Sequence, residues 1–178
     1  MKKIVSGVTI ECTVGDIAAQ EDITAVVNAA NAQLRIGGGV AGALHRAAGP
    51  GLEEECRPLA PIKPGEAVIT GAHNLPNRYV IHTLGPVFGV DKPEDKLLAD
   101  CYRNALQLAE DSNIDSVAFP SISTGAFGYP IKDAAMVAFE TIKKILPGLK
   151  SVNLIRFVLY DDGARIVHEQ SMEKIFSV

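Results

Sequence analysis

The chain alternates short apolar segments with segments that place apolar residues at helical spacing, and this alternation constrains the fold most. Residues 8–14 alternate apolar and polar positions, as a half-buried strand does. Residues 95–111 repeat apolar side chains every three or four positions, which predicts an amphipathic helix. The other predicted strands are 23–27, 66–70, 78–83, 116–119 and 151–159, and the other predicted helices are 40–48, 132–146 and 164–176. Alternating strands and helices predict an α/β fold in three layers, α/β/α, with a mixed, largely parallel central sheet.

Nothing in the sequence divides the chain into two units. The most irregular stretch, residues 57–65, contains three prolines, but it is short enough to be a surface loop. We therefore expect a single domain over residues 1–178, a length that can enclose a hydrophobic core.

Charge and cysteine usage exclude several classes of protein. The formal net charge of −4 argues against a nucleic-acid partner bound through phosphate backbones. The three cysteines, Cys12, Cys56 and Cys101, are widely spaced and odd in number, which suits a reducing compartment, and they lack the short spacing of a metal site. No segment has the length of a signal peptide's apolar core or the ~20 apolar residues of a membrane helix. We expect a cytoplasmic protein with no bound metal and no membrane partner.

The first candidate binding loop follows the strand that ends at residue 27. Ligands in parallel sheets bind beyond the carboxyl ends of the strands, and here Asn28 and Asn31 precede three glycines that open a helix. Glycine lets a ligand approach the backbone N–H groups, and a helix N-terminus attracts phosphate. The spacing matches neither the dinucleotide fingerprint nor a P-loop, so a tight turn without a ligand explains the glycines equally well. Asn28 and Asn31 are both candidate ligand-binding residues, because an amide can bond sugar hydroxyls. Each can instead bond its own backbone, and this role is favoured for Asn28.

A second candidate loop, residues 120–130, follows the strand that ends at residue 119. Its small residues can present successive backbone N–H groups as an anion-binding nest. The alternative is an ordinary crossover loop whose Ser and Thr hydroxyls form local turns. Both loops would lie at the same edge of the predicted sheet.

The two loops together resemble those of the macrodomain family, the ADP-ribose-binding, Appr-1-p processing family. The matching motifs are Asn-Ala-Ala-Asn before a polyglycine turn and Ser-Ile-Ser-Thr-Gly-Ala-Phe-Gly-Tyr-Pro after a buried strand. The resemblance implies that Asn31 holds the distal ribose, the one that bears the scissile bond, and that Phe127 packs beside it. It also implies that the backbones of Gly38, Gly39 and Val40 contact the diphosphate and the distal ribose, with Gly37 in the same binding loop. The residues of the second loop that would face the phosphates are Ser123, Thr124, Gly125 and Ala126.

The resemblance extends to the segments expected at the adenine end. Alone, Asp16 is most simply a helix N-cap and Tyr160 a boundary aromatic. In macrodomains the Gly-Asp-Ile pattern places the aspartate, here Asp16, against the adenine amino group and the backbone N–H of Ile17 against the ring. Tyr160 stands where the family has an aromatic that stacks on adenine. His82 also fits the family pattern, and its place on a strand favours a hydrogen-bonded structural histidine.

The sequence resembles enzymes of the family as well as readers. Residues 44–49 are similar to the MacroD-type and O-acetyl-ADP-ribose deacetylase-like branch, but Ala41 replaces an aspartate of that branch and Ile36 replaces a glycine. The Gly-Gly-Gly-Val-Ala-Gly run is instead similar to certain archaeal and viral macrodomains, some of which remove ADP-ribose from acidic side chains without that aspartate.

This mixed resemblance implies an ADP-ribosyl ester hydrolase acting on O-acetyl-ADP-ribose or on mono-ADP-ribosylated acidic residues of proteins, without a cofactor. The candidate catalytic residues are Asn31, His45 and Phe127, and a structural role for His45 is also open. The alternatives are a non-catalytic ADP-ribose reader, an ADP-ribose-1″-phosphate phosphatase and an RNA-binding module that uses the adenine pocket.

Overall fold

The computed structural model describes residues 1–177; Val178, the last residue of the expected domain, lies outside the described residues. The strands are β1 Lys2–Val5, β2 Val8–Val14, β3 Ala25–Ala29, β4 Ala67–Gly71, β5 Tyr79–Thr83, β6 Ser116–Phe119 and β7 Leu154–Leu159. The α-helices are α1 Gly39–Ala48, α2 Pro50–Cys56, α3 Glu94–Asp111, α4 Ile131–Ile145 and α5 Asp162–Phe176. Short 3₁₀ turns cover Ile17–Ala19, Arg57–Leu59 and Leu146–Gly148.

All of these strands belong to one sheet with the order β1-β2-β7-β6-β3-β5-β4. The five central strands, from β2 to β5 in that order, are parallel to their neighbours, whereas β1 and β4 pair antiparallel at the two edges. The predicted mixed, largely parallel sheet is therefore confirmed.

Helices cover both faces of the sheet, which confirms the three layers. On β3, Val27 packs into a hydrophobic cluster with α3, α4 and α5, while its neighbour Val26 packs on the opposite face with α1 and α2. This follows from strand geometry, because successive side chains point to opposite faces. β3 and β6, at the centre of the sheet, are buried on both faces, whereas β2 alternates buried and partly exposed positions.

Two elements differ from the sequence-based prediction. β1 is a four-residue edge strand whose pattern is too short to read, and it forms because it pairs with β2. The Gly49-Pro50 pair ends α1 as expected, but α2 begins immediately, because proline at the first position of a helix loses no hydrogen bond. Within residues 1–177 no helix combines the length and apolar character needed to cross a membrane.

The sheet order fixes the order of the loops at its functional edge. The carboxyl ends of the five parallel strands meet at one edge, so the loops after β2, β7, β6, β3 and β5 follow one another along it. The two candidate loops, after β3 and β6, are neighbours in this row, and the segment after β7 that begins with Tyr160 comes next to them.

Candidate functional site

A cleft of about 810 Å³ runs along this edge of the sheet. Its volume is within the usual range for small-molecule sites. One wall is the loop after β3 with the start of α1, and the other is the loop after β6. The end of β7 and the first turn of α5 line one part of the cleft, and Gly85 of the loop after β5 also lines it.

The first wall presents the uncapped N-terminus of α1. Gly38 is the N-cap residue and supplies no side-chain hydrogen bond, and the first turn contains no acidic residue. The first N–H groups of a helix have no partner within the helix and carry partial positive charge. Gly37, Gly38, Gly39, Val40 and Ala41 all line the cleft, so this wall suits an anionic group.

The second wall has the features of an anion-binding nest. Ser123 adopts a positive φ of 67°, which is rare for a residue with a side chain. From Ser123 to Phe127, no backbone N–H donates to an acceptor within residues 1–177. The loop is held by other bonds, among them Thr124 Oγ1 to the Ser121 carbonyl at 3.0 Å and Gly128 N–H to the Gly125 carbonyl at 3.0 Å. Ser123, Thr124, Gly125, Ala126 and Phe127 all line the cleft.

Gly85 is a site residue that the sequence reasoning missed. It stands where the loop after β5 touches the second wall, and a Cβ there would overlap Ser123 Oγ and lie 2.6 Å from Ile122 Cγ2. The Ser123 hydroxyl is buried and has no partner among the described residues. The Gly85-Pro86 pair signals a turn in the sequence, but the contact with Ser123 joins segments that are far apart in the chain.

Asn31 lines the cleft and also braces the first wall. Its Nδ2 donates to the Arg35 carbonyl at 2.8 Å, and its Oδ1 accepts from the Arg35 N–H at 3.0 Å. An amide nitrogen and an amide oxygen each have one further hydrogen-bonding position. Asn31 can therefore hold the loop and contact a ligand at the same time. The backbone-bonding role expected for Asn28 thus falls to Asn31.

Asn28 does not reach the cleft, which corrects its assignment as a ligand-binding residue. It is fully buried, and its Nδ2 donates to His82 Nδ1 at 3.1 Å. Thr70 Oγ1 lies 2.9 Å from His82 Nε2 and donates to the Gly71 carbonyl, so it accepts from Nε2–H. Burial lowers the pKa of His82 to about 3, in agreement with this neutral tautomer. His82 is the hydrogen-bonded structural histidine that the sequence predicts.

His45 also lies away from the cleft wall, and its placement does not support the predicted catalytic role. Ala41 lines the cleft, but His45 is one turn, roughly 6 Å, farther along α1. The side chain is buried, and burial lowers the pKa of its imidazole. The two residues share a helix face, but that face runs from the cleft into the interior.

Tyr160 lines the end of the cleft at β7, and Asp16 and Ile17 lie beside that end. Gly15 N–H donates to the Leu159 carbonyl at 3.1 Å, so Asp16 and Tyr160 follow adjacent strand ends. Asp16 Oδ1 accepts from Ala18 N–H at 2.9 Å and caps the short turn in which Ile17 is buried. Tyr160 lines the cleft with 94% of its surface exposed, so its ring is free to stack on a ligand. Asp16 and Ile17 lie beside this end of the cleft rather than on its described wall.

No group of three or more His, Cys, Asp or Glu side chains that could hold a metal ion occurs among residues 1–177. The polar groups that line the cleft are backbone N–H groups, the Asn31 amide, the hydroxyls of Ser121, Ser123, Thr124 and Tyr160, and the carboxylate of Asp161.

The family model described as "Macro domain" matches residues 27–138, which include both walls of the cleft. The chain belongs to the macrodomain family. This macrodomain is 44% identical over 165 residues to the O-acetyl-ADP-ribose deacetylase of Klebsiella pneumoniae, covering 90% of this chain and 94% of that protein. It is 44% identical over 167 residues to human ADP-ribose glycohydrolase MACROD2, covering 92% of this chain but 39% of that protein. Among solved structures, a mutant Oceanobacillus iheyensis macrodomain with ADPR superposes with a TM-score of 0.94 at 37% identity, covering 100% of this chain and 99% of that one.

The resemblance read from the two loops is thereby confirmed for the family and for the fold. The macrodomain cleft gathers most of the predicted site residues, while the role of each residue stays a prediction.

Proposed function

We propose that this macrodomain binds ADP-ribose in the cleft and hydrolyses ADP-ribosyl esters, namely O-acetyl-ADP-ribose or mono-ADP-ribosylated acidic residues. The observation that carries the proposal is the order of groups along the sheet edge. An exposed aromatic ring, with the Asp16 carboxylate beside it, comes first, and the two walls of free N–H groups follow. The wall farther from the ring also carries the Asn31 amide. This order matches adenine, diphosphate and distal ribose. The deacetylase and glycohydrolase relatives and the ADPR-bound neighbour support it.

Binding would use each part of the cleft for one part of the ligand. Tyr160 would stack on the adenine ring, which needs no fixed hydrogen-bond geometry. Asp16 would accept from the adenine amino group through the carboxylate oxygen that does not cap the turn. The N–H groups of the two walls would surround the diphosphate, where charge-assisted hydrogen bonds are strong. Asn31 and Phe127 would hold the distal ribose.

Hydrolysis would proceed without a side-chain base at position 41, because alanine cannot accept a proton. Water attacks the acyl carbon, the bond from that carbon to the ribose oxygen breaks, and the ribose oxygen takes up a proton. ADP-ribose and a carboxylic acid leave. A phosphate oxygen of the ligand would accept a hydrogen bond from the water and position it, while Asn31 orients the ribose. Positioning of this kind lowers a barrier substantially.

The missing carboxylate is also the observation that favours the second candidate, a reader that binds ADP-ribose without turnover. The hydrolase and the reader are distinguished by measuring the release of ADP-ribose from a glutamate-modified protein, at an enzyme concentration well below the substrate concentration. A hydrolase releases ADP-ribose over many turnovers, and Asn31→Ala abolishes the release. Binding of ADP-ribose without release above the buffer control would establish the reader. Release of phosphate from ADP-ribose-1″-phosphate in the same preparation would instead favour the phosphatase.

The binding half of the proposal has its own test. ADP-ribose should bind far more tightly than AMP, which lacks one phosphate and the distal ribose. Titration calorimetry measures both affinities in one buffer, and equal affinities would refute the assignment of the two walls.

The remaining expectations belong to the same proposal. The partner would be a mono-ADP-ribosylated protein, and residues 1–178 would form one domain, in keeping with the single sheet. Cys12, Cys56 and Cys101 are all free and buried, which fits the reducing cytoplasm expected from the sequence.

A further inference from the structure

The loop after β5 forms a rim beside the cleft that the proposed function does not use. It begins at Gly85 on the cleft wall and returns against the second wall, where Phe88 N–H donates to the Phe127 carbonyl at 2.9 Å. The Phe88 ring packs on Tyr129 with 4.9 Å between ring centroids. We call residues 86–91 the rim loop.

The rim loop is held in one shape by its own hydrogen bonds. Val87 N–H donates to Asp91 Oδ2 at 2.8 Å, and Val90 N–H donates to the Val87 carbonyl at 3.0 Å. Gly89 N–H donates to Glu94 Oε2 at 3.1 Å, which ties the loop to the first turn of α3. A loop held in this way loses little further entropy when it binds a partner.

This fixed loop presents apolar side chains to solvent. Val90 is 71% exposed and Phe88 is 42% exposed. Scattered exposed apolar residues are common. These two, however, lie two positions apart in a loop that leaves the cleft wall at Gly85 and bonds to the second wall at Phe127. They offer apolar surface to a partner that reaches this end of the cleft.

The sheet order, together with the proposed position of adenine, indicates which part of the ligand meets the rim loop. β5 is the last of the five parallel strands. β7 and β2, whose ends are followed by Tyr160 and Asp16, lie at the other side of the sheet. With adenine at Tyr160, the distal ribose points toward β5. In a modified protein the ester links this ribose to a glutamate or aspartate, so the polypeptide leaves the cleft beside the rim loop.

We propose that the rim loop contacts the polypeptide of an ADP-ribosylated protein and favours substrates with apolar residues next to the modified acid. This inference rests on the proposed function and names the substrate class for the same site. O-acetyl-ADP-ribose has no polypeptide, so its hydrolysis does not depend on the rim loop.

The test compares two substrates in each variant: a glutamate-ADP-ribosylated peptide with leucines beside the modified residue, and O-acetyl-ADP-ribose. Val90→Ser should lower kcat/KM for the peptide by about fivefold, the effect of losing one modest apolar contact. It should leave kcat/KM for O-acetyl-ADP-ribose unchanged. Phe88→Ser should act in the same direction. Ile4→Ser is the matched control, because Ile4 is 76% exposed on the far edge strand, and it should change neither substrate.

Equal kcat/KM for the peptide in Val90→Ser and the unaltered protein would overturn the inference, and so would parallel losses on both substrates. If the unaltered protein hydrolyses neither substrate, the affinities of the modified peptide and of ADP-ribose replace kcat/KM in the same comparison. A protein that does not bind ADP-ribose at all would overturn the proposed function itself, which is a separate result.

Discussion

Replacing Gly42 by alanine sets two opposing effects against each other in the first wall of the cleft. Gly42 lies inside α1, and its N–H donates to the Gly38 carbonyl at 3.2 Å. Alanine is favoured over glycine in a helix by about 1 kcal/mol. The added Cβ, however, would overlap the Gly37 carbonyl oxygen and lie 2.8 Å from Arg46 Nη1. The arginine side chain is flexible and can move at little cost, but the Gly37 carbonyl belongs to the backbone of the wall.

The backbone of the wall must therefore shift to accept the methyl group. This shift displaces N–H groups that would bind the diphosphate. Losing one charge-assisted hydrogen bond to the diphosphate costs about 1.5–3 kcal/mol, which is a loss of affinity between about tenfold and a hundredfold. The stability of the protein should change by less than about 1 kcal/mol, because the helix gain offsets part of the strain. We expect Gly42→Ala to weaken ADP-ribose binding at least tenfold with a small change in Tm.

Titration calorimetry with ADP-ribose and thermal unfolding of the same preparation measure the two quantities. Gly148→Ala is the matched control, because a Cβ at Gly148 meets no atom within 4 Å and the residue lies outside the cleft. Unaltered ADP-ribose affinity together with a raised Tm in Gly42→Ala would refute the reasoning, since helix propensity would then outweigh the contact with the wall.

Three further outcomes follow from the site and its surroundings. Tyr160→Ala should weaken ADP-ribose binding by about 1–3 kcal/mol through lost stacking. It should leave Tm unchanged, because the ring is exposed. A loss of stability as large as the loss of binding free energy would mean that the ring has a packing role. Asp16→Ala should weaken ADP-ribose binding by about 1–3 kcal/mol and lower the stability of the protein by about 1 kcal/mol. Asp16→Ser still caps the turn, so it should restore the stability but not the affinity. If it restores the affinity as well, Asp16 acts only as a cap. Burial lowers the pKa of His82 to about 3, from an ordinary histidine pKa of 6.5. Between these two pH values the unfolded chain binds a proton that the folded protein excludes, so stability is lost as the pH falls from 6.5 toward 3. Urea unfolding between about pH 7.5 and about pH 5 measures how the free energy of unfolding falls with pH, and this fall should be less steep in His82→Gln by up to ~1.4 kcal/mol per pH unit. Identical slopes in the two proteins would contradict this account.

The local pattern of the chain was sufficient to predict the layers and the place of the cleft. Apolar period and turn residues are properties of neighbouring positions, and they show where strands end and helices begin. Because parallel strands end at a common edge, the loops after Val27, Phe119 and Leu159 could be assigned to one site before any packing was known. The glycine-containing motifs in the loops after Val27 and Phe119 carried the family resemblance.

Only the tertiary structure decided which side chains serve the cleft. Asn28 and Asn31 look equivalent in the sequence, but β3 pairs with β5 in a register that sets Asn28 beside His82, where its buried amide nitrogen is bonded. The direction of α1 carries His45 into the interior, and the approach of the loop after β5 makes Gly85 part of the wall. These contacts join residues tens of positions apart, and such partners depend on strand register and helix direction, which no local pattern encodes.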